Sequence, residues 1–188
     1  YYYRCLATNT AGGDWSDTYG EFLIAEVSNF VDSADSGLGD GSSWDNAIAF
    51  SNVIKAGFAE GQTYYLKEGT LAYGSDELYR NVQLPPRARL YGGYDSSSSG
   101  SDLSQRDPEA NLTVVKNISF EMAGTNSNHR IDGIVFNAIG YTLSSPVLQA
   151  LGYGAHTNIV INNCMFLNAY MGVDCAGSSY DSDDGSPL

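Results

Sequence analysis

Short runs in which apolar residues alternate with polar ones recur along most of this chain. Segments rich in Gly, Ser, Asp and Asn separate them, which is the pattern of β-strands joined by turns. The runs Tyr1–Asn9 and Glu21–Val27 flank a Gly12-Gly13-Asp14 turn and predict a hairpin. Two strands bury no core by themselves, so this hairpin needs sheet partners from elsewhere. The Gly/Ser/Asp stretch Asn29 to Ser43 marks the start of a second unit. Beyond it Trp44, Ile48, Ile54 and Phe58 fall on one side at helical spacing, and Phe50 and Val53 widen the stripe. With Ser42 and Asp45 in capping-box positions and Gly61 as a stop, the pattern predicts one helix over Ser43–Ala59.

From Thr63 onward the runs look periodic. Leu66, Leu90 and Val114, in the runs Thr63–Leu66, Ala88–Tyr91 and Thr113–Val115, stand at equal 24-residue steps, which predicts coils of a solenoid with these three in one interior column. Ile131, Ile134 and Phe136 are echoed by Ile161, Cys164 and Phe166 at an offset of 30, and the longer step predicts that Gly140 to His156 projects as an inserted loop. Each coil of such a stack exposes an apolar row that only the next coil covers, so no coil is stable alone. The first coil has no outer neighbour, and the helix is placed to cover it.

Composition narrows the class. Nine Lys and Arg against 22 Asp and Glu in 188 residues give a formal net charge of −13, which repels phosphate backbones and anionic membrane surfaces and argues against nucleic acid as a partner. No apolar run approaches the roughly 18 residues that span a bilayer, so no membrane insertion by this segment is expected. The 21 Gly and 14 Tyr fit a turn-rich extracellular β-protein. Cys5, Cys164 and Cys175 show no C-x-x-C pairing, so zinc is not indicated. Their odd number leaves at least one thiol free or paired outside the chain, with Cys5 the candidate for the second case. The chain opens on Tyr1 without a signal-peptide pattern, and both ends are expected to be cut from a longer protein.

Two resemblances sharpen the reading. Tyr3 two residues before Cys5, with Asn9 and Gly12 after it, resembles the tyrosine corner and last hairpin of an immunoglobulin-like sandwich, which implies that residues 1–28 are the C-terminal hairpin of such a domain. The ordered blocks Val31-Asp32, Gly39 to Ala47, Gly61 to Thr70, Arg89 to Tyr94 and Arg106 to Val115 resemble the N-terminal cap and first coils of bacterial surface or secreted proteins of the pectate-lyase-like superfamily, including polymorphic outer-membrane-protein-like members. The fold that this resemblance implies is all-β: a right-handed parallel β-helix over residues 29–188, with an N-terminal capping α-helix. A β-sandwich is the alternative fold.

The superfamily's enzymes cut acidic polysaccharides with calcium and an Arg or Lys base, or with paired Asp residues as acid and base. No such constellation stands out here, and no catalytic, cofactor-binding or metal residue is assigned. The acids Asp174, Asp181, Asp183 and Asp184 offer oxygen ligands that suit calcium, or form a solvated loop. Asp32, Asp35 and Asp40 offer the same choice between metal and turn chemistry. His129 and His156 have no partner at a catalytic spacing and are expected in loops. Asp107 before Pro108 predicts a turn. Arg87, Arg89, Arg106 and Arg130 form a basic stripe suited to an acidic sugar if coils align them, or surface ion pairs if not. Tyr64, Tyr65, Tyr91, Tyr94, Tyr141 and Tyr153 are candidates for stacking on sugar rings or for packing between coils. Asn137 and Asn163 are candidates for an internal polar ladder. The expected function is noncatalytic: a bacterial cell-surface or secreted module for adhesion or glycan binding. Its alternatives are the N-terminal part of a polysaccharide lyase or glycoside hydrolase, and a structural stalk.

Overall fold

A computed structural model of the chain describes residues 28–73, 80–123, 128–139, 146–150 and 158–175. The expected immunoglobulin-like hairpin, with Cys5, lies outside them apart from Ser28. The chain is mostly β, 45% strand, with one α-helix among the described residues.

The described strands form three sheets in which every ladder is parallel. The first takes, in spatial order, β12 (Val160–Asn162), β9 (Arg130–Asp132), β6 (Arg89–Tyr94), β3 (Thr63–Lys67), β1 (Ser28–Asp32) and β2 (Ile48–Ala49). The second takes β13 (Met165–Leu167), β10 (Ile134–Asn137), β7 (Thr113–Lys116) and β4 (Gly69–Leu71). The third takes β14 (Met171–Asp174), β11 (Pro146–Gln149), β8 (Ile118–Met122) and β5 (Arg80–Leu84). From β3 onward the chain visits the first, second and third sheets in turn, four times over, and adds one strand to the same side of each on every pass.

Strand alternation sends one row of each sheet inward. Register partners make three shared columns: Tyr64, Leu90, Ile131 and Ile161 from the first sheet; Leu71, Val115, Phe136 and Phe166 from the second; and Val82, Phe120, Leu148 and Val173 from the third. All but Val173 belong to or pack against one hydrophobic cluster. Burying each such side chain stabilises the stack by roughly 1.5–3 kcal/mol, and each needs the neighbouring pass to do so.

The column expected from the 24-residue steps is not among them. Leu66 is buried but pairs with Val31, and Leu90 stands opposite Tyr64 instead. Val114 lies in the second sheet, half-buried and on the opposite face from Val115. The passes are unequal: the register partners Thr63, Arg89, Arg130 and Val160 are 26, 41 and 30 residues apart. The 30-residue echo does report register, since Ile131 pairs with Ile161 and Phe136 with Phe166. The loop expected over Gly140 to His156 contains β11, whose Val147 and Leu148 are buried in the core.

The expected Ser43–Ala59 helix is three elements. Trp44–Asn46 is a turn of 3₁₀ helix, Ile48–Ala49 is β2, and only Phe50–Ala56 is α-helix, α1. Side chains compete for the backbone here: Ser36 Oγ accepts from Ala47 N–H and Asp35 Oδ1 from Ala49 N–H, which holds this stretch extended against β1. Gly57, at φ 87°, ends the helix four residues before Gly61. Phe50 and Val53 of α1 still join the core beside Leu71 and Val82, on the side where β4 and β5 are outermost. Trp44 does not share that face. The Gly/Ser/Asp stretch expected to start the second unit opens with a strand, β1, in which Phe30 and Val31 are both buried.

Corners between sheets rely on left-handed backbone. Gly61, Arg87, Asn128 and Asn158, each two residues before the first-sheet strand of its pass, have φ of 71°, 62°, 42° and 55°. Asn tolerates this conformation because its short amide bonds locally. Asn158 donates to Asn128 Oδ1 at 2.9 Å, and Asn168 to Asn137 Oδ1 at 2.9 Å. The asparagine ladder thus runs along the corners rather than inside, and Asn163 leaves it for Asp132. Among the described residues no helix is long and apolar enough to cross a membrane.

Candidate functional site

The outer face of the first sheet carries a second, smaller core. Phe30, Tyr65, Tyr91 and Asp132 follow one another in register along it, and Trp44, Ala47 and Tyr94 pack with the three aromatic side chains. Tyr65 stacks on Tyr91 with ring centroids 6.0 Å apart, and Trp44 meets Phe30 edge-on at 4.9 Å. Two crossing segments cover this layer. Trp44, from the segment between β1 and β2, donates its indole N–H to Gly100 O at 3.1 Å, and Tyr94 donates its hydroxyl to Ser101 O at 3.2 Å. Tyr64, Tyr65, Tyr91 and Tyr94 are all buried, Tyr64 in the main core, so none of them offers a ring face to a sugar. Tyr141 and Tyr153 lie outside the described residues.

Beyond Tyr91 the layer turns polar. Asp132 is buried, and each of its oxygens is shared by two donors. Oδ1 accepts from Arg106 at 2.7 Å and Asn163 at 3.1 Å; Oδ2 accepts from Arg130 at 3.1 Å and Asn162 at 3.4 Å. Arg106 also donates its Nε–H to Gly92 O at 2.7 Å. That approach needs glycine on both sides: a Cβ at Gly92 would lie 2.3 Å from Gly133 O, and one at Gly133 would lie 2.6 Å from the Arg106 guanidinium. The Arg106 and Arg130 guanidiniums stand 5.3 and 5.7 Å from the centre of the Tyr91 ring.

Burial pushes the Asp132 carboxyl up, but the hydrogen bonds from Arg106, Arg130 and Asn163 and the charge of Arg106 outweigh it and hold the group below the ordinary carboxylate range. A carboxylate so held stays ionised and cannot act as a general acid near neutrality. Burial raises the Tyr91 hydroxyl, and the charges of Arg130 and Arg89 offset part of that rise. Arg89 pairs in register with Arg130 on the neighbouring strand. Of the expected basic stripe, Arg106 and Arg130 meet on one acid, and Arg89 stands in register beside Arg130. Arg87 is elsewhere, in an exposed ion pair with Glu60 at 2.7 Å. The reading from sequence missed Asp132, although Arg130-Ile131-Asp132 places both charges on the face opposite a core isoleucine.

Arg106 and Arg130 share the single charge of Asp132; the guanidinium of Arg106 is covered, whereas the Arg130 side chain is 41% exposed and its Nε is buried without a hydrogen-bond partner. With Arg89 beside it, this is a cationic spot on a strongly acidic protein, and guanidinium forks match carboxylate and sulfate oxygens in pairs.

The other candidates separate. Asp32 pairs with Lys67 at 3.1 Å, Asp35 holds Ala49 N–H and the Asn52 amide across the chain, and Asp40 accepts from Ser42 N–H in a local turn. Asp174 stands on β14, with Asp181, Asp183 and Asp184 outside the described residues. His129 lies in the loop just before β9, as expected, but is wholly buried there, and His156 lies outside the described residues. Asp107 does hold a turn, accepting from the N–H groups of Glu109 and Ala110. Cys164 projects toward the core with its thiol pushed up by burial. Among the described residues no group of three or more His, Cys, Asp or Glu is placed to hold a metal ion. No protein-family model, no curated protein and no solved structure matches the chain.

Proposed function

We propose that the three parallel sheets are part of a right-handed parallel β-helix, and that the chain belongs to a secreted or surface-displayed bacterial protein in which it serves as a noncatalytic module for adhesion or glycan binding. Repeated visits to three sheets in fixed order, with three inward columns, support the architecture. Crossovers between parallel strands of one sheet are right-handed in about 98% of cases, which supports the hand.

The observation that carries the function is that Arg106 and Arg130 share one carboxylate, Asp132, with Arg89 in register beside Arg130. Arg89 and Arg130 sit on strands, held in register by the ladder, so their charges are presented from a rigid surface. Such a pair suits an anionic group on a glycan, and the Asp132 carboxylate at its centre is committed to structure rather than to proton transfer.

A glycan array probed with the chain tests this. Binding to carboxylated or sulfated glycans is expected, weakening at least tenfold in Arg130→Glu and Arg89→Glu. Cleavage of uronate polymers in the presence of calcium would favour the lyase alternative, and silence in both assays would leave a structural stalk.

A further inference from the structure

Sheets two and three stop at β4 and β5, whereas the first sheet is extended by β1 and β2. The outer edge of β5 therefore pairs with no strand among the described residues. On its inner edge Arg80 N–H donates to Asn117 O, and Leu84 O accepts from Ala123 N–H, so Arg80, Val82 and Leu84 direct their backbone groups at the β8 side. In a parallel ladder the residues between them turn theirs the other way. The N–H and C=O groups of Asn81 and Gln83 thus face the open edge.

That edge lines a groove of about 820 Å³ whose opposite wall is the end of α1. Ile54, Phe58, Val82 and Pro85 give it apolar surface, and Lys55 and Arg80 are the charged residues among its described lining. Arg80 is held in place by Tyr73, its guanidinium 4.0 Å from the ring centre. Lys67, Arg87, Arg106 and Arg130 are in ion pairs, whereas Lys55 and Arg80 form no ion pair with a carboxylate among the described residues. In a chain with 22 acids and 9 bases, two cations and no acid among the described residues of one groove are a local departure from the overall charge. The groove has backbone donors and acceptors, apolar walls and positive charge, which are the three things that strand addition by an extended peptide uses.

We propose that the β5 edge is a docking site for an extended acidic peptide segment of a partner protein, which adds to the third sheet as a further strand with its carboxylates against Lys55 and Arg80. The site is separate from the arginine cluster and goes beyond the glycan reading. Pro85 and Pro86, next to β5, limit how far such pairing can run and keep the edge from joining another sheet along its whole length.

The test uses a fluorescein-labelled hexapeptide alternating glutamate and valine, its lysine–valine counterpart, an N-methylated version of the acidic peptide, and a uronate hexasaccharide. Binding of the acidic peptide alone is expected by fluorescence polarisation, with slowed exchange at the Asn81 and Gln83 amides. The double variant Lys55→Glu, Arg80→Glu should lose at least tenfold in affinity for it and gain the lysine peptide, a reversal that a merely misfolded chain would not give. Arg130→Glu should leave peptide binding unchanged, which separates this proposal from the glycan site. No binding, equal binding of the N-methylated peptide, unaltered exchange at the two amides, or the saccharide taking the groove in place of the peptide would each overturn it.

Discussion

Asp132 joins three parts of the chain: Arg106 from the segment between β6 and β7, Arg130 from its own strand, and Asn162 and Asn163 from the next pass. Asp132→Asn would leave Arg106, whose side chain is 7% exposed, as a buried charge without a counterion, and a loss of about 3–5 kcal/mol is expected in urea unfolding. The folded pKa of Asp132 is depressed, so its contribution is complete above the unfolded value near 3.9 and fades as pH falls through the lower folded value. Wild-type stability should therefore fall more steeply below about pH 4 than that of Asp132→Asn, with parallel curves as the contrary result. The ingredients of this cluster were legible one by one, as Arg106, Arg130 and Asn163. Their meeting point was not, because Arg106 reaches Asp132 across an excursion, residues 95–112, whose path no local pattern encodes.

At the scale of the element, strands were visible wherever apolar residues came in obvious blocks, and the third sheet was missed. Arg80–Leu84 and Ile118–Met122 alternate plainly, yet both fall between runs that already satisfied an assumed repeat. Unequal passes hid the register: the 24-residue steps matched residues from two different sheets, and only the 30-residue echo, where two passes are nearly alike, gave true partners. The helix was overread because Trp44 and Ile48 fit a helical stripe while the side chains of Asp35 and Ser36 hold the intervening backbone extended. The columns themselves make a graded prediction. Phe120, fully buried between Val82 and Leu148, should cost about 3–5 kcal/mol when changed to Ala. Val173, at the end of the same column and 38% exposed, should cost under about 1 kcal/mol on the same change, because little contact is there to lose. Equal losses at the two positions would mean that the column is not the unit of stability.

Across the whole molecule the two sides of the stack differ. On the α1 side, Phe50 and Val53 close over the core. On the other side, the last pass presents Val160, Met165, Leu167, Met171 and Val173 on β12, β13 and β14, and Tyr170 between the last two, at 38–75% exposure. Stability in a stack is a sum over neighbouring interfaces, so a pass whose apolar side chains are this exposed opens before those whose rows are buried. Amide exchange in β12–β14 is expected to run at least tenfold faster than in β6–β11, and uniform protection across all four passes would contradict this.

The clamp on the first sheet bears on any use of this chain as a scaffold. A connection between stacked turns is ordinarily where a foreign epitope or binding motif can be transplanted at little cost. The stretch from Asp95 to Leu112 looks like such a place, but Gly100 and Ser101 receive Trp44 and Tyr94, and Arg106 anchors it to Asp132. Replacing it would uncover an aromatic layer and strand a buried carboxylate, so a graft there would alter the host before it displayed the guest.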